Sequence, residues 1–396
     1  MPLKFVFGPS GSGKSTYLYQ HVIEESEKYP LKNFIVLVPE QFTMQTQKDL
    51  VSMHPRHGIM NIDVLSFARL AYRVFEETGT KQMQVLDDEG KNLILRKIAG
   101  DYENKLTVLK GNIKKLGYIS EVKSVISEFT QYDIGEEEMD EMLDHLDEDS
   151  RLYYKLKDIR LLYEGFQDYL RERYITKEEL LDVLNSQVKE SELLKNSVVV
   201  LDGFTGFTPV QNRLILELMR CCKEVWVTVT MDERENPYAY KHPYQLFGLS
   251  KQMVTTLVRM AGEDHIEVEE PVCLYGYPVK RFEKNQELAF LERNIFRYGS
   301  GRYDKAVENL EIHAAGNPRQ EADAVAEGIR RLVRKEQYRY RDIGVIVSDM
   351  NVYGDYLEQA FENYGIPVFM DHKRSILLNS FVEYIRSLLN MAEKNF

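Results

Sequence analysis

Residues 8–15 read Gly8-Pro9-Ser10-Gly11-Ser12-Gly13-Lys14-Ser15, a glycine-rich loop closed by a lysine and a hydroxyl. Few folds can accommodate such a loop. Glycines let backbone N–H groups turn inward around a polyphosphate, the lysine reaches the outer phosphates, and the hydroxyl suits a Mg²⁺ ion. The mechanism also requires a strand before the loop and a helix after it, whose positive N-terminal end faces the anion. Residues 3–7 are a short apolar run that reads as a buried strand, and residues 14–28 carry a helical pattern. The order is right, so the sequence reads as an α/β protein that binds a nucleoside triphosphate or descends from proteins that did.

Strands alternate with helices over the first 80 residues: a strand over 33–38 ended by Pro39, a helix over 44–53, a strand over 62–65 and a helix over 67–77. Such alternation means βαβ units and a parallel sheet. From about 87 to 189 only helical periodicity is found, including 119–129, 151–173 and 176–188, which marks an inserted all-helical block. Its acidic stretch, 136–149, reads as a solvated helix and loop. The α/β pattern resumes with the β-branched run SVVVL at 197–201, a strand buried on both faces. A helix over 210–221, a strand over 224–230, a helix over 243–260 and an irregular stretch over 262–279 follow.

The Gly-Ser-Gly cluster at 299–301 is the linker candidate. Beyond it a second α/β unit is expected: strand 310–314, helix 319–334, strand 343–347, helix 353–364 and an amphipathic stretch over 381–392. It reads as unfinished, so the 396 residues are expected to be one piece of a longer polypeptide.

Composition excludes several classes. With 43% apolar and 29% charged residues, the chain reads as a globular protein. No apolar run approaches the ~18–20 residues of a membrane span, and no signal peptide precedes the first strand. Cys221, Cys222 and Cys273 form no metal-ligand spacing, which favours a reduced, cytoplasmic compartment. A net charge of −12 argues against a uniformly basic nucleic-acid coat but allows a local basic channel.

A phosphate loop needs a carboxylate at the end of a neighbouring strand to hold the Mg²⁺ shell. Asp202, directly after the SVVVL run, is the candidate. Many motor ATPases follow this aspartate with a glutamate that orients or deprotonates the attacking water; here the position is Gly203. Losing a general base typically removes ~10²–10⁴-fold in rate, so binding without efficient hydrolysis is expected. Gly203→Glu is expected to leave nucleotide affinity nearly unchanged. Asp232, after the strand ending at Thr230, is the nearest substitute carboxylate.

For DNA contacts, Thr43, Ser66 and Arg69 fall on the sheet edge where ligands of parallel sheets gather. Phe67 or Tyr72 could stack on a base, although Phe67 and Leu70 also have helical core spacing. Arg330, Arg331, Arg334, Lys335, Arg339 and Arg341, interleaved with Tyr338 and Tyr340, form the densest basic run, alternatively a solvated helix face. Lys110, Lys114 and Lys115 make a weaker cluster.

The phosphate loop, VPEQFT at 38–43, DVLSFARLAYRV at 63–74 and LDGFTGFTPVQ at 201–211 resemble the AddB family, B subunits of bacterial ATP-dependent helicase–deoxyribonucleases. RFEKNQELAFLERNIF at 281–296 and NPRQEADAVAEGIRRL at 317–332 extend the resemblance along the whole chain. It implies two RecA-like domains: 1–85 with 190–298 as the P-loop domain, 86–189 as a helical insertion, and 302–396 as part of the second.

Gly8, Gly11, Ser12, Gly13, Lys14 and Ser15 fall on the nucleotide-phosphate motif, and Ser15 and Asp202 on the Mg²⁺ positions. Gln211 falls on the glutamine that closes the aspartate motif, and Ser66 and Phe67 on a Ser-Phe pair beside the single strand. Arg281 aligns loosely with a phosphate-sensing arginine, and a structural ion pair is the other reading. Only seven residues precede the loop, leaving no upstream adenine-reading glutamine motif, and three unclustered cysteines do not encode the family's iron–sulfur cluster.

The resemblance further implies ATP and Mg²⁺ as ligands, an AddA-type helicase–nuclease partner, single- and double-stranded DNA, and processing of double-strand breaks. The leading reading is a DNA-handling subunit with weak or no hydrolysis of its own. The rival is an active helicase motor with a substitute carboxylate. A small-molecule P-loop kinase is a third reading, which the ordered match disfavours.

Overall fold

The computed structural model describes residues 2–79, 84–113, 115–171, 174–299, 301–370, 376 and 379–394. They form two compact units, Met1–Lys305 and Ala306–Phe396. In the first, strands β1 (Leu3–Gly8), β2 (Asn33–Leu37) and β3 (Ile62–Leu65) are followed by β4 (Gln84–Leu86) and β5 (Tyr174–Thr176), then by β6 (Ser197–Leu201), β7 (Glu224–Thr230) and β8 (Val272–Cys273). Six of these make one parallel sheet in the order β3-β2-β6-β7-β1-β8.

Side chains alternate across a strand, so a sheet covered on both sides needs apolar residues at every position. The SVVVL strand shows this division. Val199 and Leu201 enter one core with Phe5, Phe7, Ile35, Leu37 and Val227, under helices Phe67–Thr78, Pro209–Cys221 and Gly248–Glu263. Val198 and Val200 enter the other with Val6, Phe34, Val36 and Trp226, under helix Lys14–Lys28. All six strands run the same way, so their carboxyl ends and following loops line one edge. Ligands of such sheets bind there.

The helical block has its own core around Leu95, Ile98, Ile113, Leu162 and Phe166. It is not purely helical, as its periodicity suggested: β4 and β5 pair in parallel, Val85 opposite Ile175. The helix expected over 176–188 therefore starts only at Leu180. A reciprocal turn separates strand from helix. The Thr176 N–H donates to Glu179 Oε2 at 2.8 Å, and the Glu179 N–H to Thr176 Oγ1 at 3.2 Å. The helix expected from 243 starts at Gly248, because Phe247 takes a left-handed φ of 63° that breaks the helical path. The irregular stretch 262–279 contains β8, which extends the sheet by pairing with Val6 and Phe7.

The second unit packs helices Pro318–Lys335 and Met350–Asn363 around Ala322, Ala326, Ile329, Leu357 and Phe361. The strands expected over 310–314 and 343–347 are not formed. A strand exists through its ladder, and neither segment has a ladder partner among the described residues, leaving Ile312 and Ile346 almost fully exposed. Helix Ser380–Glu393 covers the amphipathic stretch.

Leu37, fully buried on a central strand, and Met60, fully exposed, provide an internal contrast. Leu37→Ala is expected to lower stability by about 2–5 kcal/mol, and Met60→Ala to change it by less than about 0.5 kcal/mol. Denaturant unfolding measures both, and equal effects would contradict this core.

Candidate nucleotide-binding site

β1 ends at Gly8, the loop turns through Pro9–Gly13, and a helix starts at Lys14. Gly11 and Gly13 have φ of 83° and 93°, a left-handed backbone that glycine adopts without strain. Space is equally restrictive at Gly8, where an added Cβ would lie 2.4 Å from Ser12 Oγ and 2.9 Å from the Leu274 carbonyl oxygen. No side chain caps the helix at Gly13, so its first N–H groups remain available to an anion. The Ser12 hydroxyl is buried without a hydrogen-bond partner. Both features fit a loop shaped for a phosphate.

Lys14 Nζ donates to the carbonyls of Gly8 and Pro9, each at 2.9 Å, and so folds back over its own loop. Burial lowers its pKa to about 8, opposed by the Asp202 carboxylate. Asp202 is 5% exposed. Its Oδ1 accepts from Ser15 Oγ at 3.1 Å and from Thr228 Oγ1 at 2.5 Å, and its Oδ2 accepts from the Tyr19 hydroxyl at 2.7 Å. Burial holds the Tyr19 hydroxyl far above its ordinary pKa, so it stays a donor.

Tyr19 and Thr228 do not stand out in the sequence, although both leave a signal there. Tyr19 lies four residues beyond Ser15 on one helical face. Thr228 follows Val227, which pairs with Leu201, just before Asp202.

Gly203 takes φ of 80°, and its N–H donates to Thr228 Oγ1 at 3.4 Å. An added Cβ has room, with Pro39 Cδ 3.7 Å away. Backbone conformation, rather than space, calls for glycine. A glutamate there carries strain of about 1–3 kcal/mol, a cost to the local backbone separate from the nearly unchanged nucleotide affinity expected from the sequence.

Asp232, the substitute carboxylate expected from sequence, is committed elsewhere. It pairs with Arg234 at 2.5 Å and Arg297 at 3.3 Å, and Arg234 holds its carboxyl down at about 2, a poor proton acceptor. Gln211 is likewise occupied. The Thr208 N–H donates to its Oε1 at 3.0 Å, and its own N–H donates to Thr208 Oγ1, a capping box at the start of helix Pro209–Cys221. Arg281 borders the loop: its N–H donates to the Gly11 carbonyl at 3.0 Å, and its Cβ would meet a Cβ at Gly11 at 2.8 Å. Lys280, which sequence reading missed, lies against Gly13.

The residues expected at DNA gather around Glu40, on the loops after β2 and β3. Ser66 Oγ donates to Glu40 Oε2 at 2.8 Å, Arg69 pairs with Glu40 at 3.7 Å, and buried Thr43 donates to the Glu40 carbonyl at 3.0 Å. Phe67 is a core residue, its ring packed on Phe204 and Phe207 at centroid distances of 5.4 and 6.4 Å. It offers no free face to a base, whereas Tyr72 and Phe42 are exposed.

In the second unit Arg331 pairs with Glu311 and Arg339 with Asp342, which accounts for part of the basic run. Lys114 lies outside the described residues. Cys221, Cys222 and Cys273 are free thiols, and no group of three His, Cys, Asp or Glu residues among the described residues could hold a metal.

A parallel sheet with a glycine loop closing β1, and a buried aspartate ending the second strand over, defines a P-loop α/β protein of RecA-like fold. The family described as "ADDB, N-terminal" matches residues 5–292, and the chain belongs to that family. It is 44% identical to the B subunit of the ATP-dependent helicase/deoxyribonuclease of Lachnoclostridium phytofermentans, covering 100% of this chain and 35% of that protein. Proteins of the same name from Clostridium kluyveri and Clostridium acetobutylicum are 34% and 30% identical, again over 100% of this chain and 34% of each relative. The chain thus spans about a third of the length of the curated relatives it matches.

A bound phosphate favours charged Lys14, so a polyphosphate ligand gains affinity where the lysine is protonated. If residues 8–15 hold a polyphosphate, its affinity is expected to be complete below pH about 8 and to decline as the pH rises through that value, by about tenfold per unit beyond it. Equilibrium binding of ADP without metal should show this decline, and Lys14→Arg should remove it. A flat profile for the unaltered chain would contradict the assignment of Lys14.

Proposed function

We propose that the chain is the nucleotide-holding, DNA-handling part of the B subunit of a helicase–nuclease, and that it binds ATP with Mg²⁺ and hydrolyses it slowly or not at all. One observation carries this reading. The phosphate loop is complete and its aspartate is oriented, yet the next residue is a glycine in a left-handed backbone.

In this reading Gly11 and Gly13 present backbone N–H groups to the phosphates, Ser12 offers its unpartnered hydroxyl, Gly8 allows close approach, and Lys14 exchanges its two carbonyl partners for phosphate oxygens. Ser15 and Asp202 fit a Mg²⁺ ion, since a hydroxyl and a carboxylate from different elements already meet at 3.1 Å. When bound, the ion would neutralise phosphate charge. Arg281 and Lys280 border the loop and would add positive charge.

Single-stranded DNA would lie along the edge formed by the loops after β2 and β3, contacted by Ser66 and Arg69 once Glu40 yields them, with Tyr72 as the ring available to stack. Thr43 and Phe67 would support that edge from beneath. Gln211 would hold the helix behind Asp202 instead of contacting nucleotide.

The relatives are named as one subunit of a larger enzyme, which supports a companion, and we take this to be an AddA-type helicase–nuclease. Together they would process double-strand breaks for recombinational repair. No described helix is long and apolar enough to cross a membrane, and we place this activity in the cytoplasm.

Single-turnover hydrolysis by the full chain purified alone tests the proposal, with and without single-stranded DNA. ATP should bind, Lys14→Ala should weaken binding at least about tenfold, and DNA should not accelerate turnover. Fast DNA-stimulated turnover abolished by Lys14→Ala would instead establish a motor.

A further inference from the structure

Whatever hydrolysis the loop supports needs a proton acceptor, and the carboxylates around it can be sorted by their partners. Asp202 accepts three hydroxyl hydrogen bonds. Asp232 is held by Arg234 and Arg297, Glu233 by Arg293 at 3.1 Å, and Glu235 by Lys251 at 2.6 Å and Arg297 at 3.0 Å. Glu292, half-buried on helix Gln286–Asn294, forms no hydrogen bond or ion pair among the described residues.

Its surroundings border the phosphate loop through Pro9. Glu292 lines a cleft with Pro9 of the loop, Asp232, Arg234, Tyr277 and Arg293. The cleft, partly open to solvent, has room for about 20 Å³ of water, against the ~10–15 Å³ that one ordered water needs.

The adjacent residue fixes the backbone. Arg293 is stacked on Tyr277 at 4.5 Å and paired with Glu233, and its carbonyl accepts from Arg234 Nη2 at 2.8 Å. Asn285 caps the same helix through the Leu288 N–H at 3.0 Å. Glu292 is therefore a free carboxyl on a tethered support.

We propose that Glu292 accepts the proton of the water that attacks the terminal phosphorus of a bound nucleoside triphosphate in the slow hydrolysis that the loop retains, a partial substitute for the side chain that Gly203 lacks. The proposal rests on the reading that residues 8–15 hold such a nucleotide. An oxygen–phosphorus bond forms from the water, and the bond from the terminal phosphorus to its bridging oxygen breaks. The electron pair leaves with the diphosphate, and one water proton passes to the carboxylate.

The charges facing Glu292 suit that task. Burial and then Asp232 hold its carboxyl above the usual range, opposed by Arg234, Arg293 and Lys14. A base with a raised pKa accepts a proton more readily near neutrality than Asp232 does.

The test measures ATP affinity and single-turnover hydrolysis on the full chain purified alone, for the unaltered protein, Glu292→Gln and Glu292→Asp, across the acid side of neutrality. Glu292→Gln, nearly isosteric, should slow hydrolysis by about 10²-fold or more and remove the acid limb of the pH–rate profile while leaving ATP affinity unchanged. Glu292→Asp should retain part of the rate. Hydrolysis by Glu292→Gln at the original rate would overturn the role of Glu292, as would an affinity loss matching the rate loss. ATP binding with no turnover in the unaltered chain would also overturn it while leaving the nucleotide site standing. Absence of ATP binding would instead remove the nucleotide reading itself.

Discussion

The buried carboxylate of Asp202 is the constraint on which the site depends. An ionised carboxylate taken out of water costs several kcal/mol unless hydrogen bonds replace its hydration. Here three hydroxyls supply them: Ser15 and Tyr19 from the helix after β1, and Thr228 from β7. These groups meet only because β6, β7 and β1 are parallel neighbours in that order. The sheet topology and the site are thus one arrangement, and a shift of one residue in the β6–β7 register would turn Thr228 to the opposite face. The same anion draws on Lys14, whose own burial works against its charge.

Around that anion the carboxyl edge of the sheet divides into two clusters with different chemistry. The loop after β7 and the segment carrying Lys280 and Arg281 border the phosphate loop that follows β1. Loops after β2 and β3 gather Thr43, Ser66 and Arg69 on Glu40, backed by the rings of Phe67, Phe204 and Phe207. Gly203 lies between them, close to Pro39 on one side and bonded to Thr228 on the other. Its left-handed backbone lets the chain turn from Asp202 toward the aromatic cluster. A residue that reads as a missing catalytic group is also the turn between the two clusters.

Much of this was legible in the sequence because its signals are local. The strand–loop–helix order, the SVVVL strand and the helix after Asp202 depend on neighbours within a few residues. What could not be read depended on distant partners. Whether 310–314 forms a strand is decided by a ladder, and whether 84–86 does is decided by residues 174–176. The core spacing of Phe67 and Leu70 was legible, whereas the rings that pack on Phe67, those of Phe204 and Phe207, come from another loop. The same limit explains the proton acceptor. Asp232 is the carboxylate nearest the site in sequence pattern, yet Arg297, 65 residues away, helps to neutralise it, while Glu292 emerges only in three dimensions.

In the proposed function Asp202 is central as an oriented anion for a nucleotide-bound cation beside Ser15. Equilibrium affinity for ATP, measured with and without Mg²⁺ for the unaltered chain and for Asp202→Asn, addresses that role most directly. Mg²⁺ should strengthen binding to the unaltered chain and should no longer do so in Asp202→Asn, while metal-free affinity changes little. An undiminished Mg²⁺ effect in Asp202→Asn would contradict it.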